Sequence, residues 1–200
     1  MKTLKPLPLD KHRRMGLNPS YILCAAVLWI DPQVALADQP ISSVPIRDDI
    51  INLQAGIICP PETVGTNIAP GTIAGATHII DVDPPFAAHT QQIPAILGIG
   101  FGIKSQTLTQ GGLDDITMTV THPAIGADKT KQQNFTSRID NQAPSLIFYQ
   151  FDYPYELAEG TWTMTATHQD EVLFSVAFDV VPPETLPELA NICGYDNLLS

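Results

Sequence analysis

Positive charge is what this sequence has least of. Its 200 residues hold ten Lys and Arg against 21 Asp and Glu, a formal net charge of −11 with histidine neutral. Five of those bases, Lys2, Lys5, Lys11, Arg13 and Arg14, fall within the first twenty residues, so beyond residue 37 five bases face nineteen acids, a net of −14. Such a surface repels phosphate backbones and anionic headgroups, which argues against nucleic acid and peripheral membrane partners. Its plainest role is to keep the chain soluble, and basic partners or cations stay open. Long apolar runs are also missing. The best, Tyr21 to Ile30, is ten residues long and is cut off by Asp31-Pro32, well short of the roughly 20 that a membrane helix needs. Motifs of known chemistry are missing too. None of Ser42, Ser43, Ser105, Ser137, Ser145, Ser175 and Ser200 sits in a G-x-S-x-G elbow or an S-x-x-K motif.

What the first forty residues do contain is order of another kind. A basic stretch, an apolar run and the small-residue site Ala35-Leu36-Ala37 follow one another, as in a secretory signal peptide, here residues 1–37 with cleavage after Ala37. Residues 38–49 then form a flexible entry segment rich in turn formers. Cleavage would leave an acidic chain with no stable membrane insertion, periplasmic or extracellular. It would also remove Cys24 and leave Cys59 and Cys193. An even count in an oxidising compartment predicts one disulfide between them, two separately buried thiols being the alternative. Two cysteines without a second nearby pair make no zinc site.

From residue 50 the pattern is one of strands. Residues 160–168 alternate threonine with Trp162, Met164 and Ala166; after Gln169-Asp170, Phe174, Val176, Phe178 and Val180 alternate with small or polar residues. Period 2 puts successive side chains on opposite faces, so 160–181 reads as an antiparallel hairpin with one core face and one wet face. The threonine alternation recurs over 116–122, where Pro123 should end the strand. Further strands are expected at 50–59, 77–83, 96–108 and 145–153, with a short edge strand at 135–139 and a loop over 62–76. In the 96–108 strand, Gly98, Gly100 and Gly102 alternate with Ile99, Phe101 and Ile103. Its bare face invites close approach by another group. A phosphate loop is ruled out because no helix pattern follows the glycines. Residues 184–192 carry Leu186, Leu189 and Ile192 at helical spacing. The expectation is all-β: an immunoglobulin-like antiparallel β-sandwich of about seven strands over 50–181, with a short C-terminal helical tail, 182–200, strapped back by the disulfide.

The segment Tyr155-Glu-Leu-Ala-Glu-Gly160-Thr-Trp162, with a last strand closing on Phe178-Asp-Val180, resembles immunoglobulin-like and fibronectin-III-like modules of bacterial envelope proteins. The order of Gly56, Ile93-Pro94, Gly98 to Gly102, His122-Pro123 and Gly160-x-Trp162 looks like an uncharacterised bacterial exported domain family of unknown function. That resemblance covers roughly residues 50–181, and implies a fold and a compartment but no catalytic residues. The Cys-Trp-Cys arrangement of antibody domains is absent.

Two clusters could carry function. Phe148, Tyr149, Phe151, Tyr153 and Tyr155 cannot all be buried on one face by alternation, so one or two should reach the surface as a contact patch for an envelope protein or a carbohydrate. His78, Asp81, Asp83 and His89 lie within twelve residues and would suit a divalent transition metal, although Pro84-Pro85 intervenes. His122 and His168 close the two threonine strands and, in antiparallel neighbours, fall at opposite ends. The reading is an exported, non-catalytic binding or assembly module of the cell envelope that uses no cofactor. A periplasmic metal-binding protein and an uncharacterised hydrolase are the alternatives.

Overall fold

Strand alternation dominates the computed structural model, which describes residues 43, 44 and 46–194. The expected signal peptide, the start of the entry segment and the last six residues lie outside the described residues. In chain order the strands are β1 (Ser43–Val44), β2 (Ile50–Ile58), β3 (Gly65–Ile68), β4 (Ala76–Ile79), β5 (Phe86–Ala88), β6 (Gln92–Pro94), β7 (Gly100–Thr107), β8 (Leu113–Ile125), β9 (Thr130–Ile139), β10 (Ser145–Gln150), β11 (Gly160–His168) and β12 (Glu171–Val181). A short helix, α1 (Pro187–Ala190), follows. Seven of these strands have six residues or more, and they form the sandwich. One sheet runs β1-β12-β11-β8-β9, with β6 added in parallel along β12; the other runs β10-β7-β2-β5.

The hairpin of β11 and β12 pairs Trp162 with Phe178 and Met164 with Val176. Trp162, Met164, Ala166, Val176 and Phe178 are fully buried, while their threonine neighbours face outward. Across to β8 the threonines stand in register, Thr163 with Thr121, Thr165 with Thr119 and Thr167 with Thr117. The threonine comb is therefore the wet face of a sheet, where β-branched side chains favour the extended backbone. From the opposite sheet Phe101 fills the gap, 5.8 Å edge-on to Trp162 and 5.0 Å from Phe178. Burying a ring of that size stabilises by about 1.5–3 kcal/mol.

Several elements depart from expectation. β8 does not stop at Pro123. Its pairing with β11 ends at Thr121, and its register with β9 breaks between Thr121 and Ile125. The residue without an N–H thus falls where the ladder is already interrupted. β9 is ten residues long rather than a short strand from 135. The glycine-rich strand begins at Gly100, because Gly98 takes φ +83° in the preceding turn. The span 62–76 is not all loop: β3 and β4 form a separate two-stranded ribbon. Its tip lies on the free edge of β9, where Asn134 N–H donates to Gly71 O and Ile73 N–H donates to the Gln133 side chain. An edge strand of this length is otherwise open to pairing with another chain.

The bare face of β7 is covered from β10. A Cβ on Gly102 would overlap Ile147 O and stand 2.6 Å from Phe148 Cβ. Within the entry segment, Ser43–Val44 pairs with β12, and Arg47 binds Asp49 and Glu171. At the other end Cys59 and Cys193 are disulfide-bonded, 134 positions apart with Cα atoms 5.3 Å apart. The strap holds the tail down: Leu189 is buried, and Leu186 and Ile192 pack on the core.

Candidate functional site

Alternation along β10 divides the five aromatic residues. Tyr149 and Phe151 point into the sandwich, where Phe151 is fully buried and the Tyr149 ring lies 5.0 Å from Trp162. Phe148 points the other way and is half-buried over the β7 glycines. Beyond β10 the chain turns, and Tyr153 and Tyr155 emerge 48% and 41% exposed. Their rings stack, with centroids 5.3 Å apart and planes 5° from parallel. The expected five-residue contact patch therefore contracts: Phe151 belongs to the core, Tyr149 and Phe148 pack within the protein, and Tyr153 with Tyr155 form the outward surface.

A buried glutamate shapes this loop. Residues Pro154–Glu156 make a single 3₁₀ turn. Glu156, third in that turn, reaches back so that its Oε2 accepts the N–H groups of Asp152 and Tyr153 at 2.7 and 2.8 Å. This ties down backbone donors that the start of a turn leaves free. Its Oε1 accepts the Tyr149 hydroxyl at 2.7 Å. The Gln133 amide in turn donates to the Tyr149 oxygen at 3.3 Å and to His122 Nε2 at 3.1 Å, while its carbonyl accepts Ile73 N–H at 2.8 Å. His122 Nδ1–H donates to Pro123 O at 2.8 Å, which fixes Nε2 as the acceptor. The chain His122–Gln133–Tyr149–Glu156 thus joins both sheets, the ribbon and the tyrosine loop, with each donor matched to an acceptor.

The electrostatics follow from burial. Desolvation pushes the His122 imidazole below its ordinary value, so it sits neutral against the Trp162 ring 4.6 Å away. Desolvation, then the hydrogen bond to and charge of Glu156, push the Tyr149 hydroxyl far up. Tyr155 is raised by desolvation and by Glu156, Tyr153 and Asp152, all of negative sign when ionised. Sequence reasoning placed His122 at a strand end and passed over Gln133 and Glu156. The readable signal was Glu156 itself, two residues after Pro154 in a turn, where a carboxylate caps.

The four candidate metal ligands take separate partners or none. His78 Nε2 meets Asp152 Oδ2 at 2.9 Å, which anchors β4 over the tyrosine loop. Asp83 accepts from Lys104 Nζ at 2.8 Å, His89 packs edge-on to Phe86, and Asp81 is exposed. Among the described residues no group of three or more His, Cys, Asp or Glu converges to hold an ion. Thr63 Oγ1 lies 3.4 Å from His78 Nδ1, so Thr63, His78 and Asp152 share the connectivity of a nucleophile relay. They lack its setting: Thr63 and Asp152 are exposed, and the neighbouring Val64 N–H is already donated to Ile79 O. An open cleft of about 360 Å³ between residues 70–73 and 126–130 holds Asp128 as its one ionisable lining group. His122 and His168 lie at opposite ends of neighbouring strands, as the antiparallel register requires.

Among the described residues no helix is long and apolar enough to cross a membrane. The chain belongs to a family defined by a domain of unknown function (DUF3859), which matches residues 50–180 and so runs from the start of β2 to the penultimate residue of β12, the tyrosine loop included. An immunoglobulin-like protein from Pseudomonas aeruginosa is similar in structure, with a TM-score of 0.45 and 19% sequence identity over 72% of this chain and 99% of that one. No curated protein matches the chain.

Proposed function

We propose that this member of a family without assigned function is an exported, non-catalytic binding or assembly module of the bacterial cell envelope, which meets a protein or carbohydrate partner through the tyrosine loop. The observation that carries the reading is the stacked, exposed pair Tyr153–Tyr155, held outward by a buried hydrogen-bond chain while the other rings nearby serve the core. Rigid aromatic side chains lose little conformational freedom on contact and supply much of the energy at interfaces. Export is supported by the disulfide, which persists in oxidising compartments, and by the order of basic, apolar and small residues before residue 38. A non-catalytic role is supported by the way His122 and Glu156 are saturated with structural hydrogen bonds.

The test is made in bacteria. A photo-reactive residue at position 155 should yield a discrete crosslinked product in the envelope fraction, whereas one at Asn52, on a different strand, should not. Equal products from both positions, or none from 155, would remove the loop as a contact. Mass analysis of the exported chain without reductant should find residues 38–200 carrying one disulfide. Retention of residues 1–37 in the cytoplasm would refute the export reading.

A further inference from the structure

We propose that the Tyr153–Tyr155 stack receives a cationic side chain, arginine above all, from a basic segment of a protein partner. The inference rests on the binding role argued above and specifies the kind of partner. With the ring planes 5° from parallel and centroids 5.3 Å apart, the facing sides are closed against each other, and the outer faces and edges supply the exposure. A flat guanidinium covers an aromatic face by stacking and cation–π attraction. Asp152 directly precedes the pair in the chain; its carboxylate is a third exposed, with Oδ2 bound to His78 and Oδ1 without a hydrogen-bond partner among the described residues, and its negative charge acts on the Tyr155 hydroxyl. A carboxylate oxygen beside an aromatic face is a matched set for arginine.

The chain itself shows what such a set holds. Lys104 Nζ lies 5.6 Å from the centre of the Phe86 ring and bonds the Asp83 carboxylate and Pro84 O at 2.8 and 2.7 Å. Ring, carboxylate and cation are assembled there within one molecule. At the tyrosine loop the chain supplies ring and carboxylate. Its described Arg and Lys side chains lie elsewhere: Arg47 is paired with Asp49 and Glu171, Arg138 with Asp114 and Asp140, and Lys129 and Lys131 stand at the connection between β8 and β9. The net charge of −14 beyond residue 37 steers basic partners inward over a longer range. A neutral oligosaccharide gains nothing from that field. Of the backbone donors in the loop, the N–H groups of Asp152 and Tyr153 are already spent on Glu156, which leaves acceptor oxygen, the half of the set that a guanidinium uses.

The experiment measures binding of a labelled hexa-arginine peptide to the purified chain at physiological salt, with hexaglutamate and a chito-oligosaccharide as other probes. Tyr153→Ala with Tyr155→Ala, which leaves the charge unchanged, should weaken hexa-arginine about fivefold or more, from roughly 0.5–1 kcal/mol per exposed cation–π contact. Tyr153→Phe with Tyr155→Phe keeps both rings and should stay within about twofold of the parent, which guards against a misfolded alanine variant. Asp152→Asn should weaken binding more than Asp170→Asn, an equal charge change at the β11–β12 turn. Affinity unaltered by loss of both rings, or equal effects at 152 and 170, would mean that only diffuse charge attracts the peptide and would overturn the proposal. So would a chito-oligosaccharide whose binding depends on the rings when hexa-arginine's does not. In either case persistence of the crosslink from position 155 would retain the binding role and reject only the cationic partner.

Discussion

Ser105 and His122 are both buried polar side chains, and their surroundings give them opposite roles. Ser105 is fully buried on the core side of β7, and its hydroxyl has no hydrogen-bond partner among the described residues. An unmatched buried hydroxyl costs about 1–3 kcal/mol, so Ser105→Ala should raise the unfolding free energy by about 1 kcal/mol after allowing for the lost packing of one atom, and the urea midpoint should rise with it. A lower midpoint would show that the hydroxyl is matched after all. His122 is fully matched in its neutral form, and protonation would turn Nε2 into a donor facing the donating Gln133 amide. Its folded-state value lies below the ordinary 6.5, with burial the largest cause. The unfolded chain therefore takes up the proton first, so this contribution is complete above about pH 6.5 and is lost as pH falls through the lower folded value. Stability measured by urea should decline with acidification in that window, and His122→Gln should flatten the decline. Asp49 acts in a separate window. The Arg47 guanidinium holds its carboxyl at about 2 against an ordinary 3.8, so its contribution is present above 3.8 and fails only as pH falls through about 2.

At the scale of elements, the sequence was most readable where one strand face is apolar without interruption. The β11–β12 hairpin lies at the positions its alternation predicts, and Trp162 sits in the core with its indole N–H bonded to Ala158 O at 2.9 Å. β9 was harder to read because Lys131, Gln132, Gln133 and Asn134 offer no apolar face. Gln133 is nevertheless buried, since its partners come from positions 11, 16 and 60 residues away, and no local pattern reports such distances. The same limit hid the tyrosine loop. Alternation showed that the five rings could not share one face, but it took the turn closed by Glu156 to decide that Tyr153 and Tyr155 would be outside. The bare face of β7 was legible as an invitation, and Phe148 is the group that accepts it. A Cβ at Gly102 would collide with Ile147 O, a backbone atom that cannot rotate away, as well as with Phe148. Gly102→Ala should therefore push β10 off β7, with a cost of about 2 kcal/mol or more. Hydrogen exchange of the β10 amides should quicken before that of β11 and β12. Uniform protection in the variant would mean that the sheet yields elsewhere.

At the scale of the whole molecule, the disulfide ties stability to compartment. Cys59 directly follows β2, and Cys193 lies past the last strand, in a tail beyond the family match. Joining positions 134 apart limits the unfolded chain, worth about 5 kcal/mol in the chain-entropy model as an upper figure. The folded state depends on the bond less. The aromatic core between the sheets draws on residues from Ile50 to Val180, and among its described residues the tail contributes Leu189 as the one fully buried apolar side chain. Replacing both cysteines by serine should thus leave the far-ultraviolet spectrum of the sandwich in place while lowering the unfolding free energy by several kcal/mol, and the urea midpoint with it. Limited proteolysis should then cut after residue 181, where the described part of the tail packs on the core through Leu186, Leu189 and Ile192. An unchanged midpoint would mean that the unfolded chain is already compact or that the bond carries compensating cost in the folded state. A collapse of the spectrum would mean that the tail is needed to close the core. With several kcal/mol lost from a domain whose total is of the order of 5–15 kcal/mol, a chain held in a reducing compartment would be short of stability. The bond is therefore a physical argument, independent of the order of residues in 1–37, that supports the export proposed above.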